Sequence, residues 1–368
     1  MADIRSSYRG KLKSASNSSR KYHPYTRTIR KEVNRVYDRI YATIYGHCIG
    51  DAIGLLTESL TKEEAKKKYK EVSQKLEYVH KKMLPDTHRR KWEIADWTDE
   101  SDQMILILQT ILKNRGEANP IDFAKRLMDW SERGFPELDD VSGLGICSYT
   151  KLVVSHPQFS EMPQKAAEIV WRDSGKMSAT NSAVSRTTML GIHNYNNLGK
   201  VIKNTVDICN TTHPDPRCRA SCVAVTTAIA LLLQRNQRHI KKSGSYDTDG
   251  IIGEAYTYAS SFLGSHDEVK ELKHYMFASS LKDLKLNEVG KMNYTYKTLG
   301  AGMWALKQKD FRTAIQEVVM EGGDADANGA IAGALLGCKV GIDAMPRGWI
   351  EKLVHRMWLD DLLDRISN

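Results

Sequence analysis

No uninterrupted apolar run in these 368 residues approaches the roughly 18 needed to cross a bilayer, and no apolar segment of the secretory kind opens the chain. A membrane partner is therefore not expected, and the expected location is cytoplasmic or nuclear. Cysteine is sparse and scattered: Cys48, Cys147, Cys209, Cys218, Cys222 and Cys338. Without an oxidising compartment, reduced thiols are the expectation. Cys218 and Cys222 are spaced to share a helix face, but no second Cys/His pair completes a zinc site. Also missing is any sustained apolar/polar alternation, which argues against half-exposed strands, and any repeat of fixed period, which argues against a solenoid. A hydrophobic content of 41% is ample for a packed core.

Charge of one sign is concentrated at one end. Residues 1–35 hold ten Lys/Arg against two acids, which is all but one unit of the net +9. Residues 1–30 therefore read as a basic, solvated arm, and residues 31–368 as a single domain close to neutrality. Such a body carries no electrostatic footprint for nucleic acid. A nucleic-acid partner is expected only through the basic arm, residues 1–35.

From Val36 the pattern is helical. Residues 61–82 form a Lys/Glu-rich amphipathic stretch with Tyr69, Val72, Leu76 and Val79 at three- and four-residue steps, its lysines read as the wet face. Phe123, Leu127 and Trp130 repeat in the same way. Val223, Thr227, Ile229 and Leu233 lie in an almost wholly apolar helix. Turn signals separate the helices at Arg133–Pro136, Thr212–Pro216 and Lys242–Ser245. Several apolar helices in a chain of this length predict an all-α, multi-layer body with central helices surrounded on most sides.

Two acidic clusters, Thr98-Asp99-Glu100-Ser101-Asp102 and Gly322-Gly323-Asp324-Ala325-Asp326-Ala327-Asn328, stand more than 220 residues apart, each at the start of an apolar helix. Acids are stable there for local reasons, since orphan amides and the helix dipole favour them. Brought together, the same carboxylates make an oxygen-rich cage for a hard divalent cation. Two other segments bear on the chemistry. Tyr45–Glu58 spaces glycines four apart (Gly46, Gly50, Gly54), which permits close helix packing, and carries Asp51 among small and apolar neighbours; its bland reading is a cap on another element. Asp139–Tyr149 contains Gly143 and Gly145, whose amides could face a phosphate or merely form a turn.

In their order and spacing these pieces resemble one family. Gly50-Asp51-Ala52-Ile53-Gly54, Thr98-Asp99-Glu100-Ser101, Gly143-Leu144-Gly145, Asn181 through Arg186, Thr212-His213-Pro214 and Gly323-Asp324-Ala325-Asp326 are similar to the motifs of the ADP-ribosylglycohydrolases, over roughly residues 37–345. The resemblance implies a compact all-α orthogonal multi-helix bundle and a magnesium-dependent hydrolase. Such an enzyme cleaves the ribosyl C1″ bond of ADP-ribosylated protein side chains or related ADP-ribose conjugates. It implies two Mg2+ ions held by Thr98, Asp99, Glu100, Asp324 and Asp326, with Glu58 and Asp326 in catalytic roles. It assigns Gly143, Gly145, Ser148, Tyr149, Asn181, Arg186 and His213 to the substrate. The spacing of Glu58 is that of members acting on serine-linked and polymeric ADP-ribose.

Four positions depart from the family pattern. Glu100 stands where an Asp is usual, and Ala327 replaces a Thr, leaving the second ion one hydroxyl short. Ser182 replaces a Gly, and Ser185 replaces a Met. The alternative these substitutions raise is a catalytically impaired protein that binds ADP-ribose, or acts in regulation, on the same scaffold. A third reading is a helical structural protein whose acidic clusters are only caps.

Overall fold

The structure, a computed structural model, describes residues 24–72, 75–79, 82 and 84–367. The basic arm expected over residues 1–30 lies outside the described residues as far as residue 23. The first helix, Pro24–Gly54, starts earlier than the expected onset at Val36. A proline suits a first helical turn, where its missing N–H is no loss and its fixed φ is already helical. Residues up to Val36 form one unit and those from Tyr37 a second; the body described below is the second.

Among the described residues there are eighteen α-helices and no β-strand. Extended pairing is limited to the single bridges Thr180–Tyr294 and Ile240–Tyr246. Two helices form the centre. Pro216–Gln234 buries Cys218 and every residue from Ala220 to Leu233, and Ala325–Val340 buries every residue from Ala325 to Cys338. The first is long and apolar enough to cross a membrane. Its apolar character is accounted for by neighbouring helices on all sides. Thr295–Lys307 lies against both. The Pro120–Arg133 helix buries Phe123, Leu127 and Trp130, as their spacing predicts.

The long stretch at 61–82 is shorter as a helix than its periodicity predicts. Helix Lys62–Tyr69, opened by a capping box between Thr61 and Glu64, stops at Lys70. Beyond it the backbone bonds elsewhere. The amide of Leu76 donates to Gln316 Oε1 at 2.8 Å, and its carbonyl accepts from Arg312 Nη1 at 3.0 Å and Trp349 Nε1 at 3.2 Å. Leu76 and Tyr78 are buried in this form, so apolar spacing that suits a helix is satisfied by an irregular segment.

The glycines of Tyr45–Glu58 position the site. A Cβ on Gly46 would lie 2.2 Å from the carbonyl oxygen of Gly333, and one on Gly50 only 1.9 Å from that of Gly329. On Gly54 it would meet both Ala325 O and Asp326 Cα at 2.3 Å. The first helix and Ala325–Val340 therefore touch backbone to backbone along three turns. That contact brings Asp51 and the segment leading to Glu58 beside the second acidic cluster.

Asp51 is a cap for the helix Asp99–Lys113. Its Oδ1 accepts from the amide and hydroxyl of Thr98 (3.0 and 2.8 Å), and its Oδ2 from those of Ser101 (3.0 and 2.6 Å). Burial nevertheless raises its pKa to about 6, because four donors only partly replace water. Asp51→Ala strands two amides and two hydroxyls in the interior. It should cost about 2 kcal/mol, read as a lowered urea midpoint with an unchanged slope.

Candidate active site

The turn after the first helix carries Glu58 and is fixed to the loop that carries Asp324. The amide of Ser59 donates to Gly323 O at 2.7 Å, that of Gly323 to Leu60 O at 2.8 Å, and Thr57 Oγ1 to Val319 O at 2.6 Å. Gly323 has φ +74° and would place a Cβ 2.2 Å from Leu286 O, so this position requires glycine. The result is one acidic group. Single carboxylate oxygens of Glu58, Asp324 and Asp326 all lie within 4.8 Å of one another.

The first cluster closes the group from the other side. Thr98 Oγ1 donates to Asp51 and lies 3.4 Å from Asp326 Oδ2. Asp99 Oδ2 accepts from Gln103 Nε2 at 2.8 Å, one turn along the helix. Glu100, the longer substitute, accepts from the Ser185 hydroxyl, and both side chains are buried. The two departures thus meet: the extra methylene of Glu100 is matched by a hydroxyl where the family pattern has a thioether. Asp324 Oδ2 accepts from Asn181 Nδ2 at 2.9 Å, whose same nitrogen reaches Thr298 Oγ1 at 2.9 Å; Thr298 in turn donates to Asn328 Oδ1 at 2.7 Å.

These acids raise one another's pKa. Burial and then Asp51, Glu58 and Asp324 push Asp99 well above the usual carboxylate range. Burial, Asp99 and Asp324 do the same to Glu100, and burial, Glu58 and Asp324 to Asp326; burial and Glu58 also raise Asp324. Among the described residues no Lys or Arg pairs with Asp99, Glu100, Asp324 or Asp326. Clustered carboxylates without a Lys or Arg ion pair, with the Thr98 hydroxyl beside them, fit a hard divalent ion.

The residues expected at the substrate divide. Tyr149 is nearly buried, its hydroxyl has no hydrogen-bond partner, and its ring meets His213 edge-on at 5.0 Å. Ser148 is exposed. Arg186 and His213, expected to touch the nucleotide, are interior instead. Arg186 donates to Gln103 Oε1 (2.8 Å) and Thr212 Oγ1 (2.6 Å) and lies over the Phe123 ring. His213 is held between Thr180 and Thr212, and burial with the Arg186 charge keeps its pKa well below the usual value. Their polar groups support Asp99, through Gln103, and the Tyr149 wall. Gly143 and Gly145 are required by packing: a Cβ would strike Trp130 O at 2.6 Å and Asp99 Oδ1 at 2.3 Å respectively, and Gly145 has φ +91°.

Sequence reasoning missed Gln103, Thr298 and His88. Gln103 sits one turn after Asp99, a spacing that does signal a shared face. Thr298 lies in an apolar helix, and His88 in a basic stretch, where no pattern marks them. His88 Nε2 stands 2.5 Å from Glu58 Oε2.

With this geometry in place, likeness to known proteins is informative. An uncharacterized protein of Archaeoglobus fulgidus is 26% identical over 278 residues, 74% of this chain and 80% of that one. ADP-ribosylarginine hydrolase Tri1 of Serratia proteamaculans is 21% identical over 276 residues, 74% and 67% of the two chains. ADP-ribosyl-[dinitrogen reductase] glycohydrolase of Rhodospirillum rubrum is 46% identical over a 43-residue segment, 12% and 15% of the two. A solved ADP-ribosylglycohydrolase-related protein complex shares the fold, with a TM-score of 0.60 at 20% identity over 90% of this chain and 98% of that one. The ADP-ribosylglycohydrolase family profile matches residues 32–368, and the chain belongs to the ADP-ribosylglycohydrolase family.

Proposed function

We propose that this protein is a magnesium-dependent hydrolase that releases ADP-ribose from ADP-ribosylated protein side chains or related conjugates by cleaving the C1″ bond. The observation that carries the reading is the single acidic group made by Glu58, Asp324 and Asp326, with buried Asp99 and Glu100 beside it. Glu58, Asp324 and Asp326, with Thr98, Asp99 and Glu100, would hold the ions. A bound magnesium supplies Lewis-acid contact to sugar hydroxyls and a more acidic water. Asp326 accepts the proton of the attacking water as its oxygen bonds to C1″, and the bond to the acceptor breaks with its electron pair leaving on the acceptor atom. Asn181 holds Asp324 in place, and Gln103 holds Asp99. Tyr149 backs the site with a ring packed on His213 and a buried hydroxyl without a partner.

Relatives named for ADP-ribosylarginine and for ADP-ribosylated dinitrogen reductase support a protein-linked substrate. The direct test is free ADP-ribose released from arginine-linked, serine-linked, polymeric and O-acetyl substrates. Release that EDTA abolishes and Mg2+ restores is expected on at least one. No release from any of them would overturn the reading.

The Glu100–Ser185 contact and the missing hydroxyl at Ala327 favour a second reading, an ADP-ribose-binding protein with little turnover. Glu100→Asp combined with Ala327→Thr should separate the two. In an enzyme limited by its ion sites the pair tightens Mg2+ about tenfold and raises the rate at limiting Mg2+. If ADP-ribose binds equally well with and without Mg2+ and the pair changes nothing, the binding role is the correct one.

A further inference from the structure

Glu58 is also held by a short turn that the motifs do not include. Arg89 is buried, and its Nε donates to Leu55 O at 2.7 Å while its Nη2 donates to Glu58 O, so one guanidinium grips the main chain on both sides of the turn. Its remaining arm, Nη1, pairs with Asp86 Oδ2 at 2.6 Å, and Asp86 Oδ1 accepts the Arg89 amide at 2.7 Å, which locks the turn on itself. The preceding residue takes the side chain: His88 Nε2 lies 2.5 Å from Glu58 Oε2. With Glu58 ionised the shared proton belongs to Nε2, because a carboxylate only accepts. The imidazole is set edge-on against Trp92, ring centroids 4.9 Å apart, and Trp92 is buried. Adjacent residues thus fix the backbone and the carboxylate of one glutamate.

We propose that His88 is a positioning residue that holds the Glu58 carboxylate at the acidic group, with Arg89 and Trp92 as its supports. The physical need is plain. A carboxylate within 4.8 Å of two others is repelled by them, and Glu58 sits on a turn at the edge of the body with rotatable bonds that let it leave. A hydrogen bond from His88 opposes that departure. Imidazole and carboxylate share one tether, so the ligand is oriented before an ion arrives, and orientation of this kind is worth about 10–100-fold in metal affinity. This rests on the function proposed above in one respect only, that Glu58 serves the ion site.

The experiment compares His88→Ala, His88→Gln and Glu58→Gln, alone and combined, by Mg2+ calorimetry, steady-state kinetics and crystallography of the metal-free proteins. His88→Ala should weaken Mg2+ about tenfold and lower kcat with little change in substrate KM. His88→Gln, which keeps a nitrogen donor, should recover most of both. In the Glu58→Gln background His88→Ala should add nothing, because its effect passes through Glu58; a residue needed only for folding would add its full cost there. Metal-free His88→Ala crystals should show the Glu58 carboxylate withdrawn from Asp324 and Asp326. A carboxylate that stays in place, or additive losses in the double variant, would overturn the assignment. Failure of the function itself has a different signature: wild type with no Mg2+ heat and no ADP-ribose release, while the crystallographic comparison still decides the role of His88.

Discussion

Asp326→Asn should abolish measurable turnover while making the metal-free protein more stable. Two losses combine in the rate. Replacing the carboxylate removes the group placed to take the water proton, an effect of about 10²–10⁴-fold, and it removes a ligand from the ion site. Stability moves the other way. Burial and four neighbouring acids raise the Asp326 pKa, so its charged form is less favourable in the folded chain than in the unfolded one. At pH 7, above the unfolded value of about 4, the folded state carries that penalty; it shrinks as pH falls and the group takes up a proton. An amide of the same shape carries no such penalty: its oxygen can still accept from the Ala327 amide, and its NH2 can donate to Thr98 Oγ1, whose own proton goes to Asp51. In EDTA the variant should melt about 2 °C higher than wild type. In saturating Mg2+ the order should reverse, since wild type gains binding free energy that the variant lacks. Single-turnover assays and paired melts read both effects. A rate within tenfold of wild type, or no crossing of the two melting orders, would exclude Asp326 from the role assigned to it.

The legible part of this protein was the part written in spacing. Glycines four apart at 46, 50 and 54 announce close helix packing, and the structure finds a carbonyl against each of them. The apolar steps of Phe123, Leu127 and Trp130 and the almost wholly apolar stretch holding Val223, Thr227, Ile229 and Leu233 give their helices directly. The acidic clusters were legible as a pair because each keeps acids at a helix start, whereas Glu58 joined them only through the family resemblance, which its distance from Gly54 matches. What spacing cannot show is which polar group faces which. Arg186 and His213 stand where the motif order places them, yet packing turns both inward to Gln103, Thr212 and Thr180. Leu76 has helical spacing with Tyr69, Val72 and Val79, but its segment finds partners on Gln316, Arg312 and Trp349 that an isolated helix would not offer. Tertiary hydrogen bonds decided those positions, and a sequence records them only as polar residues at unremarkable places.

The helix contact under the site gives the largest effect expected on folding. Gly50→Ala adds one methyl carbon, 1.9 Å from the carbonyl oxygen and 2.4 Å from the carbonyl carbon of Gly329. Both atoms are backbone within a buried helix, so no rotamer change relieves the clash and the two helices must part. The facing glycine is in the same position, since a Cβ on Gly329 would meet Gly50 O at 2.2 Å. Parting opens voids along the whole seam, because interiors are already close-packed. A loss of about 3–5 kcal/mol follows, at the upper end for an added methyl group, seen as insoluble expression or a large fall in the denaturation midpoint. Gly253→Ala is the internal comparison. That glycine is also helical, yet nothing lies within 4 Å of its would-be Cβ, and alanine there should add about 0.5–1 kcal/mol of stability. Gly54→Ala separates packing from chemistry, for its methyl group would meet Ala325 O and the Cα of Asp326. Whatever fraction of that variant folds should bind Mg2+ more weakly than a Gly46→Ala protein matched for stability, because only the contact at Gly54 displaces a carboxylate of the site. Equal Mg2+ affinity in the two would mean that the glycine seam supports the fold alone and that the acidic group tolerates its movement.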